Sequence, residues 1–343
     1  MIRQIYRLTK PRQIEICHME TEFTEDEVLV RPVYLAICAA DRRYYNFERP
    51  IEIMRQKVPL ALIHEASGIV YLDLKGEYKP GETVVLVPTV PNLASKNNNN
   101  IKENYRRDAK FSSSSSDGFM QSIVPIRRDR LIRVDQDNLR VAVLCELLSV
   151  AVNAVQSMPM NNIDDNTVFG VWGDGSVGYV LALTLRFYFP NAKILIFGKI
   201  DEKLIYFSFA ENAQNYPDIT ELQESLDYAI ECVGGNAVGE IMDEMITMLK
   251  PQGAIHLLGV SEYKQSLNTR MILEKGLTIS GHSRSSLDDF IESSRMINEN
   301  KWIRDSLLSI ISDEIEVTST EGVHKAFERD TYNVFKTILN WKV

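Results

Sequence analysis

Three short stretches place metal-binding side chain types where they could do chemistry. "CAAD" sets Cys38 three residues ahead of Asp41, "IHEASG" sets His64 beside Glu65, and Glu146 sits inside the apolar run "VAVLCELLSVAV". Thiolate, imidazole and carboxylate together form the mixed donor set of a catalytic zinc, which keeps one position for water or substrate. A metal-bound imidazole usually has a carboxylate behind it, and Asp41 is the candidate for that role. Taken singly, Cys38 reads as a small core residue and His64 as a satisfied buried histidine. Glu146 resists a packing explanation, because a buried carboxylate without a partner is costly. Cys145 competes with it for the ligand role. Adjacent side chains point apart on a helix or strand, which favours Glu146.

A second stretch, "GDGSVG", carries Gly173, Gly175 and Gly178 with Ser176 and Val177 between them. It follows an apolar strand pattern and opens a helical one, the context that turns G-x-G-x-x-G into a dinucleotide signal. The first glycine allows a tight turn, the second a close approach of backbone to pyrophosphate, and the third helix-on-strand packing. The helix N-terminus adds amide donors for the phosphates. About twenty residues on, NAD enzymes carry an acid for the ribose hydroxyls. This chain has "IFGKIDEK", where Lys199 and Lys203 suit a 2′-phosphate and Asp201 is the competing carboxylate. The basic pair points to NADPH.

These residues need elements to hold them. Positions 1–149 read as short strands, among them "DEVLVRPVYLAIC", "ASGIVYLDL" and "ETVVLVPTV", with "KPGE" as a turn. That half is a β-rich barrel or sandwich. From 150 to 283 strands such as "AKILIFGK" and "LDYAIECVG" alternate with helical stretches, which predicts a doubly wound parallel sheet. The fold class is therefore α/β. The remainder, 284–343, reads as helical and then mixed. Two patches, "NNNN" at 97–100 and "SSSSS" at 112–116, read as solvated loop without chemistry. For an anionic substrate the local cations are Arg42 and Arg43, just past the cysteine motif, and Arg284. Ser285 with Asp288 reads as a capping box beside that last arginine.

Composition narrows the function classes. A chain of 343 residues favours two domains, and 45% hydrophobic with 25% charged residues is globular. A net charge of −9 argues against nucleic acid or anionic membrane as a partner. The four cysteines are scattered, which argues for reduced thiols. No apolar run reaches a membrane span and the N-terminus lacks a signal-peptide core, so the expected location is cytoplasmic.

Cys-x-x-Asp, then His-Glu before a Gly-x-Val strand, then "ELLSV", then a glycine-rich turn, in that order, resembles the zinc-dependent medium-chain dehydrogenase/reductases over nearly the whole chain. The resemblance implies a GroES-like catalytic domain at 1–149, a Rossmann domain at 150–283, and a return to the catalytic domain at 284–343. It implies one zinc held by Cys38, His64 and Glu146, with Glu65 as an alternating or water-mediated ligand. Two departures stand out. The lobe "NLASKNNNNIKENYRR" lacks the cysteines of a structural zinc, so one metal is expected. Ala40 replaces the Ser or Thr of the alcohol dehydrogenase proton relay, leaving water at the metal or Glu65 as proton source. More narrowly, "ICAADRRYY", "WGDGSVGY", "ECVGG" and "NTRMILEKGLT" look like the ribulose-5-phosphate reductase branch. That branch implies reduction of the C2 ketone of ribulose 5-phosphate with NADPH. On the residues alone, Tyr44 and Tyr45 are candidates for sugar contacts, although tyrosines at this spacing are as often core or cleft wall. Arg43 and Arg284 are the phosphate candidates by local charge, against a reading as solvated surface arginines. The resemblance also implies a homodimer or homotetramer, and a cytidylyltransferase acting on ribitol 5-phosphate as pathway partner. A polyol dehydrogenase for an unphosphorylated substrate and a metal-free NADP-binding reductase are the rival readings.

Overall fold

Val28, Val30, Leu35 and Ala36 are buried along Glu27–Ala36, a strand rich in β-branched and apolar residues. It pairs antiparallel with Glu65–Asp73 on one side and with Lys336–Trp341 on the other, while Val124–Arg127 also pairs with it. The computed structural model describes every residue except 21, 93–99 and 214–221. Most of the "NNNN" patch therefore lies outside the described residues.

The chain divides into two units, Met1–Ser149 with Ser285–Val343, and Val150–Arg284. In the first, the strand order runs Leu131–Arg133, Thr83–Leu86, Glu65–Asp73, Glu27–Ala36, Lys336–Trp341 and Ile311–Val317. A smaller antiparallel sheet joins Ile2–Lys10 to Gln13–Glu20 and Leu60–Ala61. Ile5, Leu8, Leu35, Ile63 and Phe327 lie in the apolar core of this unit. The closing segment is more regular than its sequence pattern: helices Leu287–Glu299, Lys301–Ser309 and Thr320–Tyr332 alternate with the strands Ile311–Val317 and Lys336–Trp341.

The second unit is a parallel sheet in the order Glu211–Asn212, Lys193–Phe197, Val168–Trp172, Leu226–Glu231, Leu249–Leu257, Thr278–Gly281. The chain enters in the middle, winds outward to one side, and then crosses to the other, which is the doubly wound arrangement expected. In such sheets ligands bind beyond the carboxyl ends of the strands where the winding reverses. Here that point lies between Val168–Trp172 and Leu226–Glu231. No helix among the described residues is long and apolar enough to cross a membrane.

Two local expectations are corrected. The capping box uses Ser286 and Asp289, with both the backbone N–H and the hydroxyl of Ser286 donating to Asp289 Oδ2 at 2.7 Å. Ser285 instead shares a 2.6 Å hydrogen bond with Ser149. The serine tract is not a solvated loop: Ser112 and Ser113 are buried, and they close a tight turn in which Phe111 N–H donates to Ser115 Oγ at 2.7 Å.

Candidate functional site

The Cys-x-x-Asp spacing has a structural cause. Cys38 is the N-cap of the helix Ala39–Tyr45 and Asp41 is its third residue, so the Asp41 carboxylate reaches back to the cap. Cys38 N–H donates to Asp41 Oδ2 at 3.2 Å, and the same oxygen lies 3.6 Å from His64 Nδ1. The other oxygen, Oδ1, accepts from Ile63 N–H at 2.9 Å and from the Ser113 hydroxyl at 2.6 Å. Burial works against a charge on Asp41, yet His64 and the bonds from Ser113 and Ile63 outweigh it and hold the carboxyl below its usual range. Burial equally opposes a charge on His64, but Asp41 and then Cys38 hold its pKa well above normal. The loop carrying His64 is strained. Ile63, β-branched, has φ +68°, a conformation that survives only where its surroundings dictate it. They do: Phe119 N–H donates to Ile63 carbonyl at 2.7 Å, and a Cβ on Gly118 would meet that carbonyl at 2.4 Å.

One donor atom each from Cys38, His64 and Glu65 lie within 4.8 Å of one another. Glu146 is outside that group but close to it. Burial pushes its carboxyl up to about 7, and the nearby charges of His64, Glu65, Lys336 and Asp41 modulate it. Cys145 turns away, its thiol 3.7 Å from Phe290 carbonyl. Lys336, buried on the strand Lys336–Trp341, donates to Glu65 Oε1 at 2.6 Å and to Ile37 carbonyl at 2.8 Å. Glu65 Oε2 is buried without a hydrogen bond. The cluster thus gathers three carboxylates and a thiol against one lysine and one histidine. An orphaned carboxylate oxygen amid surplus buried acid fits a bound cation, and the S, N and O donors fit zinc.

In the second unit each motif glycine has its own reason. Gly173 has φ +126°, a Cβ on Gly178 would lie 2.0 Å from Gly173 carbonyl, and a Cβ on Gly175 would enter open space. Gly175 is also the N-cap of the helix Ser176–Tyr188, so the open cradle faces amides at a helix start and fits a pyrophosphate. Lys199 is exposed just past the strand Lys193–Phe197. The carboxylate tied to that strand end is Asp174, whose Oδ2 accepts from Lys199 N–H at 2.7 Å and Ile200 N–H at 2.9 Å. Asp201 and Lys203 belong to the short helix Asp201–Leu204.

The remaining candidates part company. Arg42 is held by Asp330, its Nη1 3.3 Å from Oδ2. Tyr45 is a core residue rather than a sugar contact: it stacks on Phe327 at 4.3 Å and shares a 2.7 Å hydrogen bond with His324. Tyr44 lies under the Arg49 guanidinium. Arg43 sits on the helix that Cys38 caps. Arg284 falls in the nucleotide-binding unit, where its carbonyl accepts from Asn153 at 3.1 Å.

Residues 24–136 match the family model for the alcohol dehydrogenase GroES-like domain, and 206–299 that for zinc-binding dehydrogenases. Ribulose-5-phosphate reductase 1 of Staphylococcus aureus is 39% identical, covering 99% of both chains. The chain belongs to the ribulose-5-phosphate reductase family of zinc-binding dehydrogenases. A second relative, the ribulose-5-phosphate reductase of Bacillus spizizenii, is 40% identical over 100% of both chains. Among solved structures, S. aureus TarJ in complex with NADPH superposes with a TM-score of 0.86 at 36% identity, covering 100% of both chains.

For a member of this family, sequence reasoning overlooked Lys336, Ser113 and Asp174. Lys336 had a signal, a lone lysine in the apolar run "NVFKTILNW". Ser113 was hidden by its tract, and Asp174 by its place as a variable position of the glycine motif.

Proposed function

We propose that this protein reduces D-ribulose 5-phosphate to D-ribitol 5-phosphate with NADPH, supplying the precursor of CDP-ribitol for ribitol-phosphate polymers. The observation that carries the reading is the Cys38–His64–Glu65 cluster, with its histidine and glutamate buried and its cysteine partly exposed, in a chain that aligns end to end with ribulose-5-phosphate reductases. Cys38, His64 and Glu146 would hold one zinc, with Glu65 as an alternating or water-mediated ligand. Zinc, when bound, supplies Lewis-acid polarisation of the ketone oxygen. NADPH supplies the hydride.

The chain's own residues do the rest. Asp41 fixes the His64 ring through Nδ1, which leaves the other nitrogen for the metal. Lys336 donates to Glu65 and offsets its charge in the buried site. Ala40 offers no hydroxyl, so water at the metal or Glu65 would supply the proton. Gly173, Gly175, Ser176, Val177 and Gly178 orient the cofactor phosphates, while Lys199 and Lys203 receive the 2′-phosphate. An acidic protein must attract the substrate phosphate by local charge, and Arg43 and Arg284 are each candidates for holding it. The working enzyme is a homodimer or homotetramer, and a cytidylyltransferase consumes its product.

The decisive comparison offers purified enzyme ribulose 5-phosphate and unphosphorylated ribulose, each with NADPH and with NADH. Turnover confined to the phosphorylated ketone, and faster with NADPH, is the expected result. Equal turnover of free ribulose would make it a general polyol dehydrogenase.

A further inference from the structure

Ser113 lies in a run of five serines with the composition of a linker, yet it is 2% exposed and its hydroxyl donates to Asp41 Oδ1 at 2.6 Å. Its backbone stands at φ +63°, a conformation serine adopts uncommonly, and nothing in the tract's composition asks for it. The segment around it is fastened to the His64 loop at several points. Phe111 packs its ring 5.2 Å from that of His64. Asp117 Oδ1 accepts from Ala61 N–H at 2.9 Å, and Gly118 N–H donates to Ala61 carbonyl at 2.7 Å. Asp41 Oδ1 thus has two donors, Ile63 N–H and Ser113 Oγ–H, each presented by a residue of positive φ. Two strained positions converge on one carboxylate oxygen.

The geometry points to Ser113 as a positioning residue of the metal site: its hydroxyl fixes the rotation of the Asp41 carboxylate so that Oδ2 faces His64 Nδ1. With Oδ1 doubly held, the plane of the carboxylate is set, and with it the ring that carries a ligand nitrogen. Groups standing behind a ligand in this way typically change metal affinity by about 10–100-fold when removed. The serine tract therefore belongs to the metal site through one member, and the other four serve the turn. This inference rests on Cys38, His64, Glu65 and Glu146 being the zinc site.

Glycine makes the test sharp, because it is at ease where φ is positive. Ser113→Gly deletes the hydroxyl while relieving the backbone, two effects of opposite sign on thermal stability. A purely structural role therefore predicts a change in stability at most, with unchanged metal retention. The positioning role predicts zinc release to a chelator faster by about tenfold or more, measured well below the melting temperature of either protein. It also predicts altered visible absorption bands of the cobalt-substituted enzyme, which report ligand geometry. Ser114→Ala, elsewhere in the same tract, should match wild type in both. Zinc release from Ser113→Gly within twofold of wild type, with unchanged cobalt bands, overturns the role of Ser113 and leaves the zinc site standing. A wild-type enzyme that retains no zinc overturns both.

Discussion

The nucleotide turn takes its shape from the contiguous residues Gly173 to Gly178, whereas the proposed metal site and its surroundings draw on positions 38, 41, 64, 65, 113, 146 and 336. The first works through backbone: amides at a helix start, a left-handed glycine, and the absence of side chains. The second works through side chains whose buried charges must be balanced against one another. A local backbone site forms wherever its strand and helix form. A side-chain site assembled from distant positions exists only when the whole sheet does. The two should therefore fail in different ways.

Removing a metal ligand should separate them most strongly. Cys38→Ser, or Glu146→Ala, should lose bound zinc and lower turnover on the order of 10³-fold or more, the several kcal/mol a Lewis acid supplies. NADPH binding, titrated by fluorescence, should stay within twofold. Full activity in a metal-stripped preparation would end the comparison altogether.

Next comes charge balance. Lys336→Met leaves Glu65 buried without its cation, and breaking a buried pair by removing one partner costs about 3–5 kcal/mol. Urea unfolding of the variant should show that loss, and zinc should restore part of it by compensating the carboxylate. A variant as stable as wild type would mean that Glu65 does not need Lys336.

Arg43→Ala and Arg284→Ala probe the substrate phosphate. Each should lower kcat/KM for ribulose 5-phosphate by about 1.5–3 kcal/mol, the range of a charged hydrogen bond, while leaving NADPH affinity unchanged. Unaltered kinetics in both variants would remove that phosphate site.

The smallest effect is expected at the backbone-built site. Lys199→Ala should narrow the preference for NADPH over NADH by roughly tenfold, about one charged hydrogen bond, because the glycine turn serves both cofactors. A native preference for NADH would instead assign the ribose to an acid such as Asp201.

Much of the fold was legible in the sequence alone, and the difference between the two sites explains what was not. The glycine turn declares itself because its chemistry and its spacing are the same local fact. Cys38 and Asp41 stood out for their donor types alone; that their spacing is that of a helix cap and its third residue is visible only in the fold. Lys336 showed only that a lone lysine stands in an apolar run; its partner Glu65 is 271 residues away and no local pattern links them. Tyr45 misled for the converse reason. Its neighbours in sequence are site residues, but its neighbours in space are Phe327 and His324. The serine tract misled through composition, which describes an average residue and says nothing of the single one at positive φ.

The strand Lys336–Trp341 is not an edge: it is laid between Glu27–Ala36 and Ile311–Val317. On the ribosome, Cys38, His64 and Glu65 emerge long before it does, and domains generally fold from the N-terminal side during synthesis. The sheet therefore gains this inner strand, and Glu65 its lysine, only after residues 336–341 have been made, although Cys38, His64 and Glu65 were all in place by residue 65.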